Sequence, residues 1–294
     1  MSSMLMTSMY MMKNKIKFKK IYLEIINYCN LDCPFCVQSN KEPQMMDLED
    51  LNNILPMVKK YTDYLYLHLK GEPLMHPDFD KIIELTNEYG LTVNITTNGF
   101  LLEKYFDTIM KSNNIRQINI SLQSLITQSI EKRKQYLDTV IPMVEKLEKR
   151  IFISLRLWND ERKQDVVALN KMIIDYLNDY FKIDILENYH GQKINQRIYL
   201  SKEEEFEWPA ILDAEDNSGY CLGGKTHIGI LSDGTVTICC LDHNGLSDLG
   251  NVFNNSLDDI LGSEKFLAIR EAFQNRKLVL PLCKSCTYRY RFNK

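Results

Sequence analysis

The chain has no marked excess of one charge sign, no long apolar run, no internal repeat, and too few cysteines for its length to be stapled by disulfides. Its net charge of -3 over 294 residues excludes the broad basic footprint on which nucleic-acid binding rests. The lysine-rich stretch 13–20 reads as a solvated edge. Residues 1–12 are rich in methionine but have no positive leader and no small-residue cleavage site, and they are too short to cross a bilayer. They read as a loosely ordered tail, with no membrane partner expected. No low-complexity linker divides the chain. Eight cysteines are too sparse for a disulfide framework, and their clustered spacing reads as metal binding in a reducing compartment, hence a cytoplasmic protein.

What is present begins with Cys29, Cys33 and Cys36, spaced by three and then two residues directly after the apolar run 21–27. Three thiolates can hold three irons of a 4Fe-4S cluster and leave the fourth open. A closed structural zinc site wants four ligands, and no fourth Cys or His stands nearby.

Short apolar runs at 21–27, 64–70, 91–97, 115–121, 151–157 and 181–186 alternate with helical periodicity at 47–61, 78–89, 103–112, 137–149 and 162–178. That order predicts an α/β fold of six βα units around a parallel sheet, a partial (β/α)6 barrel. Within the runs, alternate residues are polar: Tyr22 and Glu24, then Tyr66, His68 and Lys70, then Asn94, Thr96 and Asn98, then Gln117, Asn119 and Ser121, then Ser154, Arg156 and Trp158. Parallel strands covered on both faces are usually apolar throughout, so this polar face is expected to line a lumen whose buried groups need a ligand or water.

The character changes after about residue 187. Glu203 to Glu207 with Trp208-Pro209 reads as an exposed acidic turn, and Asp233-Gly234 between two alternating runs reads as a hairpin. Cys221, Cys239, Cys283 and Cys286 can close a second four-iron cluster or a zinc site, with Cys240 as the spare thiol unless the adjacent pair is reversed. Helices are expected at 256–262 and 264–274, and residues 288–292 either cover the barrel mouth or end in solvent. The expected divisions are a tail at 1–20, the barrel at 21–200 and a small α+β auxiliary-cluster unit at 201–294.

The spacing Cys29-x3-Cys33-x2-Cys36, with Phe35 before the last cysteine, resembles the signature of radical S-adenosylmethionine (SAM) enzymes. The four later cysteines resemble the truncated SPASM domain called Twitch. The resemblance implies a SAM-binding 4Fe-4S cluster, an auxiliary 4Fe-4S cluster, SAM, a low-potential electron donor of the flavodoxin or ferredoxin class, and hydrogen abstraction by a 5'-deoxyadenosyl radical. Lys70-Gly71-Glu72-Pro73 resembles the family's Gly-Gly-Glu-Pro motif, which implies SAM contacts for Gly71 and Glu72 and leaves Lys70 to point at substrate. Phe35, Asn98, Ser121 and Arg156 are the further SAM-side candidates, Arg156 for its carboxylate; the Gly-rich motif that many relatives carry on strand five is missing. The strings 66–73, 116–121, 153–158 and 206–209 resemble a subgroup that includes queuine lyase. That likeness implies cleavage of the C–N bond of queuine, giving 7-aminomethyl-7-deazaguanine for queuosine salvage. Glu24, Asn94, Asn119 and Trp158 are then candidate substrate contacts, and His68 and Lys70 candidates for proton transfer. Radical dehydrogenation of a polyol or amino sugar, modification of a peptide, and a non-catalytic zinc protein are the alternatives.

Overall fold

Strand β1 (Lys20–Leu23) is apolar on the face that meets the helices, and α1 (Leu48–Lys59) answers it with Leu51, Ile54, Leu55 and Val58, one stripe at helical spacing. Asp47 caps that helix by accepting from the Asp50 N–H at 2.8 Å. In this computed structural model, which describes residues 16–37, 41–186, 191–211 and 217–292, the same exchange repeats through β2 (Tyr64–Tyr66), α2 (Phe79–Glu88), β3 (Thr92–Thr97), α3 (Phe106–Lys111), β4 (Ile115–Ser121), α4 (Ile130–Leu147), β5 (Phe152–Asn159) and α5 (Gln164–Phe181). Along β5, Ile153, Leu155 and Leu157 are fully buried while Ser154, Arg156 and Trp158 alternate with them.

Two short strands follow, β6 (Gly191–Lys193) and β7 (Ile198–Glu204), then the hairpin β8 (His227–Ile230) and β9 (Val236–Thr237), and helices α6 (Leu257–Leu261), α7 (Glu264–Gln274) and α8 (Pro281–Ser285). The strands form one mixed sheet in the order β6-β7-β5-β4-β3-β2-β1-β8-β9. β7, β5, β4, β3, β2, β1 and β8 run parallel, while β6 and β9 are antiparallel to their neighbours. A partial barrel of six βα-type strands is therefore present, extended at one side by the carboxy-terminal hairpin.

The sixth barrel strand is not 181–186. Helix α5 keeps its apolar period through Leu177 to Phe181 and stops at Lys182 in the left-handed region (φ 55°), and the strand is β7, where Ile198 and Leu200 are buried. Glu203 and Glu204 accordingly pair with Trp158 and Asn159, so the acidic turn expected there is in part a strand, and a boundary at 200 falls inside it. Ile16 and Phe18 are buried in the core, so they are no part of a tail; residues 1–12 lie outside the described residues. Helix α4 starts at Ile130 rather than 137 because Ser129 caps it, accepting from the Lys132 N–H. Among the described residues no helix is long and apolar enough to cross a membrane.

Candidate active site

Cys29, Cys33 and Cys36 lie on the loop that follows β1 and line a cavity of about 650 Å³. The Leu31 N–H and the Asn98 Nδ2 approach Cys29 Sγ at 3.4 and 3.6 Å. Burial, then the fields of Cys29 and Cys36, push the Cys33 thiol up to about 12, so these sulfurs become thiolates only when metal supplies compensating charge. Ser124, whose buried Oγ has no partner among the described atoms, lines the same cavity. Such an orphaned group fits a site built for a polar ligand.

Glu72 sits opposite the loop, almost wholly buried. It accepts from the Leu74 N–H (3.0 Å), the Thr97 hydroxyl (2.7 Å) and the Asn98 N–H (2.7 Å). Burial outweighs these donors and pushes the carboxyl from 4.5 up to about 7. Because the folded-state value is raised, its stabilising contribution is complete at low pH and is lost as pH rises through about 7. In urea unfolding at about pH 5 and about pH 8, Glu72→Gln should lose less stability than the wild type; equal losses would contradict this.

Gly71, Asn98 and Ser121 line the cluster-loop cavity, and the need for glycine at 71 has a cause in the backbone. Its φ is +71°, and a Cβ there would stand 2.2 Å from the Ile26 carbonyl oxygen. Lys70 does not point at the lumen: its Nζ donates to the Val37 carbonyl in the cluster loop, and its N–H donates to Glu24 at 3.1 Å. Glu24 is likewise no lumen acid. β1 has ended at Leu23, and the Glu24 carboxylate is filled by Lys70 and by the Ser232 N–H and hydroxyl at 3.3 and 3.1 Å, tying β1 to the ends of β2 and β8.

The lumen is a second cavity, of about 370 Å³, lined by Lys20, Tyr22, His68, Arg156, Trp158 and Cys240 among others. Arg156 is partly buried, and its Nε, which is buried, has no hydrogen-bond partner. It pairs with Ser121 across β4 and β5 and lines this cavity, whereas Ser121 and Glu72 line the cluster-loop cavity. Its guanidinium already covers the Trp158 ring at 4.4 Å, and the indole N–H donates to Ser201 at 3.0 Å. Trp158 therefore positions Arg156 instead of offering that face to a ligand. His68 borders both cavities; its Nε2 meets Thr96 Oγ1 at 3.1 Å while Nδ1 has no partner. Burial, with Arg156 and Lys20 nearby, pushes it down to about 3, which makes it a neutral imidazole near neutral pH.

Asn119 lines the lumen but spends its amide on Ile95, Thr96 and Gln117. Asn94, fully buried beside Tyr66 in the sheet, is not among the lining residues. Phe35 and Trp208 line both cavities and the mouth, a third space of about 750 Å³. The Trp208 indole N–H donates to the Phe35 carbonyl at 3.1 Å and so fastens the segment after β7 to the cluster loop. Sequence reasoning did not place Trp208 or Lys20 in the site. Lys20 was in the signal, two residues before Tyr22 in the same strand alternation, whereas Trp208 stands in an irregular segment with no period to read. Tyr288 lines the lumen, so residues 288–292 do cover the barrel.

The later cysteines gather under the hairpin. Gly223 lies between Cys221 and Cys239, and a Cβ there would meet Cys221 Sγ at 3.6 Å and Cys239 Cβ at 3.3 Å. Cys283 feels Cys221 and Cys286; Cys239 feels Cys240, then Cys283 and Cys221; and Cys240 also feels Cys221. Among the described residues no three Cys, His, Asp or Glu side chains are placed to share a single ion; a cluster asks instead for one thiolate at each separate iron.

Residues 23–158 match the radical SAM superfamily and residues 221–287 match the SPASM iron-sulfur cluster-binding domain. The chain carries a radical SAM domain followed by a SPASM domain. Its cofactors are a 4Fe-4S cluster, an auxiliary cluster and SAM, and the two cysteine sets with the orphaned Ser124 fit them. A probable GTP 3',8-cyclase of Methanococcus maripaludis is 24% identical over 82% of this chain and 91% of that protein. The fold of this radical SAM enzyme is shared with BtrN in complex with AdoMet and 2-DOIA (TM-score 0.59, 20% identity, 92% of this chain and 93% of that one). It is also shared with Streptococcus suis SuiB bound to precursor peptide SuiA (TM-score 0.59, 18% identity, 97% and 75%).

Proposed function

We infer that this radical SAM enzyme is a lyase that cleaves the C–N bond joining the cyclopentenediol ring of queuine to its aminomethyl group, giving 7-aminomethyl-7-deazaguanine. Cys29, Cys33 and Cys36 would hold the SAM-binding cluster; Cys221, Cys239, Cys283 and Cys286 would hold the auxiliary one. With SAM and a low-potential electron donor of the flavodoxin or ferredoxin class, the first cluster supplies a radical that removes a substrate hydrogen atom. Gly71, Glu72, Asn98 and Ser121 border the SAM side, while Lys20, His68 and Arg156 face the substrate.

The observation that carries the reading is the buried, unpartnered Nε of Arg156 in an aromatic and amide-lined lumen. A buried N–H donor without an acceptor is costly unless a ligand or water supplies one. The lactam oxygen and diol of queuine are such acceptors. Queuine shares its guanine-type ring with the substrate named for the curated relatives.

The mouth argues against a nucleoside triphosphate. Asp160, Glu204, Glu205 and Glu207 line it against Arg162 and Arg291. Arg162 is already paired with Asp160 at 2.6 Å, and Arg291 lies 3.9 Å from Glu203. An acidic mouth suits the protonated secondary amine of queuine, and equally an amino sugar, the substrate class of the alternative dehydrogenase reading.

Equilibrium binding to the cluster-loaded protein tests this. Queuine should bind in preference to GTP and to an amino sugar, and Arg156→Gln should weaken queuine roughly 10- to 100-fold with SAM affinity unchanged. A loss of SAM affinity instead would return Arg156 to the SAM carboxylate.

A further inference from the structure

Adjacent cysteines here face opposite ways. Cys239 lies among Cys221 and Cys283, but Cys240 lines the lumen together with Tyr22, His68 and Arg156. It packs with Tyr22, Leu69, Leu231 and Tyr66 in an apolar group separate from the main core. The Tyr22 ring is part of that group. Two independent features mark this cavity as a ligand site: His68 Nδ1 and Arg156 Nε are both buried there without partners. The lumen thus holds a thiol at its wall, adjacent in sequence to Cys239.

We propose that Cys240 is a catalytic residue, the hydrogen-atom donor that closes the radical reaction in the lumen. The proposal rests on the lyase reading above. Once a hydrogen atom has been taken from the ring carbon next to the one bearing nitrogen, homolysis of the C–N bond forms a ring double bond. The unpaired electron is left on the departing nitrogen. An S–H bond is weaker than an N–H bond, so transfer from Cys240 is downhill: its S–H breaks, the amine N–H forms, and a thiyl radical remains. One electron from the flavodoxin- or ferredoxin-class donor and one proton from solvent restore the thiol. Tyr22 packs in the same group as the sulfur at the lumen wall. A dehydrogenation would need no such donor, because there the substrate radical is oxidised rather than quenched.

The test compares cluster-loaded wild type with Cys240→Ser and Cys240→Ala, incubated anaerobically with SAM, dithionite and queuine. Serine keeps the shape of the site, but its O–H bond is too strong to give up a hydrogen atom. Both variants should keep about eight irons per chain and form 5'-deoxyadenosine in a queuine-dependent way. The ratio of 7-aminomethyl-7-deazaguanine to 5'-deoxyadenosine should fall at least about tenfold, and freeze-quenched samples should accumulate an organic radical in their electron paramagnetic resonance spectra. An unchanged ratio in Cys240→Ser, with normal wild-type product, overturns the proposal alone. Iron falling to about half overturns it by placing Cys240 among the cluster ligands. Absence of base product from the wild type overturns the lyase reading and the proposal with it.

Discussion

Alanine at Cys29, Cys33 and Cys36 together should lower iron from about eight to about four per chain and abolish 5'-deoxyadenosine formation, while the protein stays folded. These thiols sit on a loop after β1 and line a cavity. None of them pairs a strand, and the sheet on either side is held by β2 and β8. The auxiliary set is different. Cys221 and Cys239 flank the hairpin that joins the barrel sheet beside β1, and Cys283 and Cys286 lie at the end that leads to the Tyr288–Phe292 turn over the lumen. Removing those four ligands should cost iron and also loosen this cover. Iron and acid-labile sulfide analysis of the two multiple mutants checks both statements, and continued 5'-deoxyadenosine production by the first would contradict the assignment.

Gly71→Ala is expected to be the most damaging single change outside the cysteines. Its φ of +71° alone costs a residue with a Cβ about 1–2 kcal/mol. The new methyl would also stand 2.2 Å from the Ile26 carbonyl oxygen and 3.0 Å from that of Tyr28, so backbone must move. That backbone leads into the cluster loop, and Glu72 follows with its N–H bonded to the Tyr28 carbonyl at 3.0 Å. A total on the order of 3 kcal/mol corresponds to an apparent Tm lowered by roughly 6–12 °C, with weakened SAM binding because both walls of its cavity shift. Thermal unfolding and SAM titration of the same preparation measure the two effects. A Tm within about 2 °C of wild type would show that the loop yields without cost.

The site was legible in the sequence where chemistry or period was strong. Cysteine spacing pointed to both metal-binding regions, and the alternation of polar residues pointed to a lumen, because a buried face that carries Arg156 and His68 has no reading as ordinary core. What escaped were places where a side chain leaves the strand pattern. β1 and β2 are shorter than their apolar runs, so Glu24 and Lys70 fall beyond the sheet and bond to each other's loops. The run 181–186 begins on the last residue of a helix and continues past its Lys182 cap without strand pairing, while β7 was hidden by the acidic residues at its end. Contacts between distant segments had little sequence signal: Trp208 on Phe35 follows only from the way the carboxy-terminal part folds back, and the sequence left open whether Tyr288 covers the lumen. The choice between Cys239 and Cys240 was open for the same reason, since neighbouring residues differ only in which way the chain turns them.

The most direct measurement is an anaerobic incubation of reconstituted protein with SAM, a low-potential reductant and queuine, read by mass spectrometry. The account predicts 5'-deoxyadenosine and 7-aminomethyl-7-deazaguanine appearing together, both dependent on queuine. Formation of 5'-deoxyadenosine with queuine recovered intact would contradict the lyase reading while leaving the radical SAM chemistry in place.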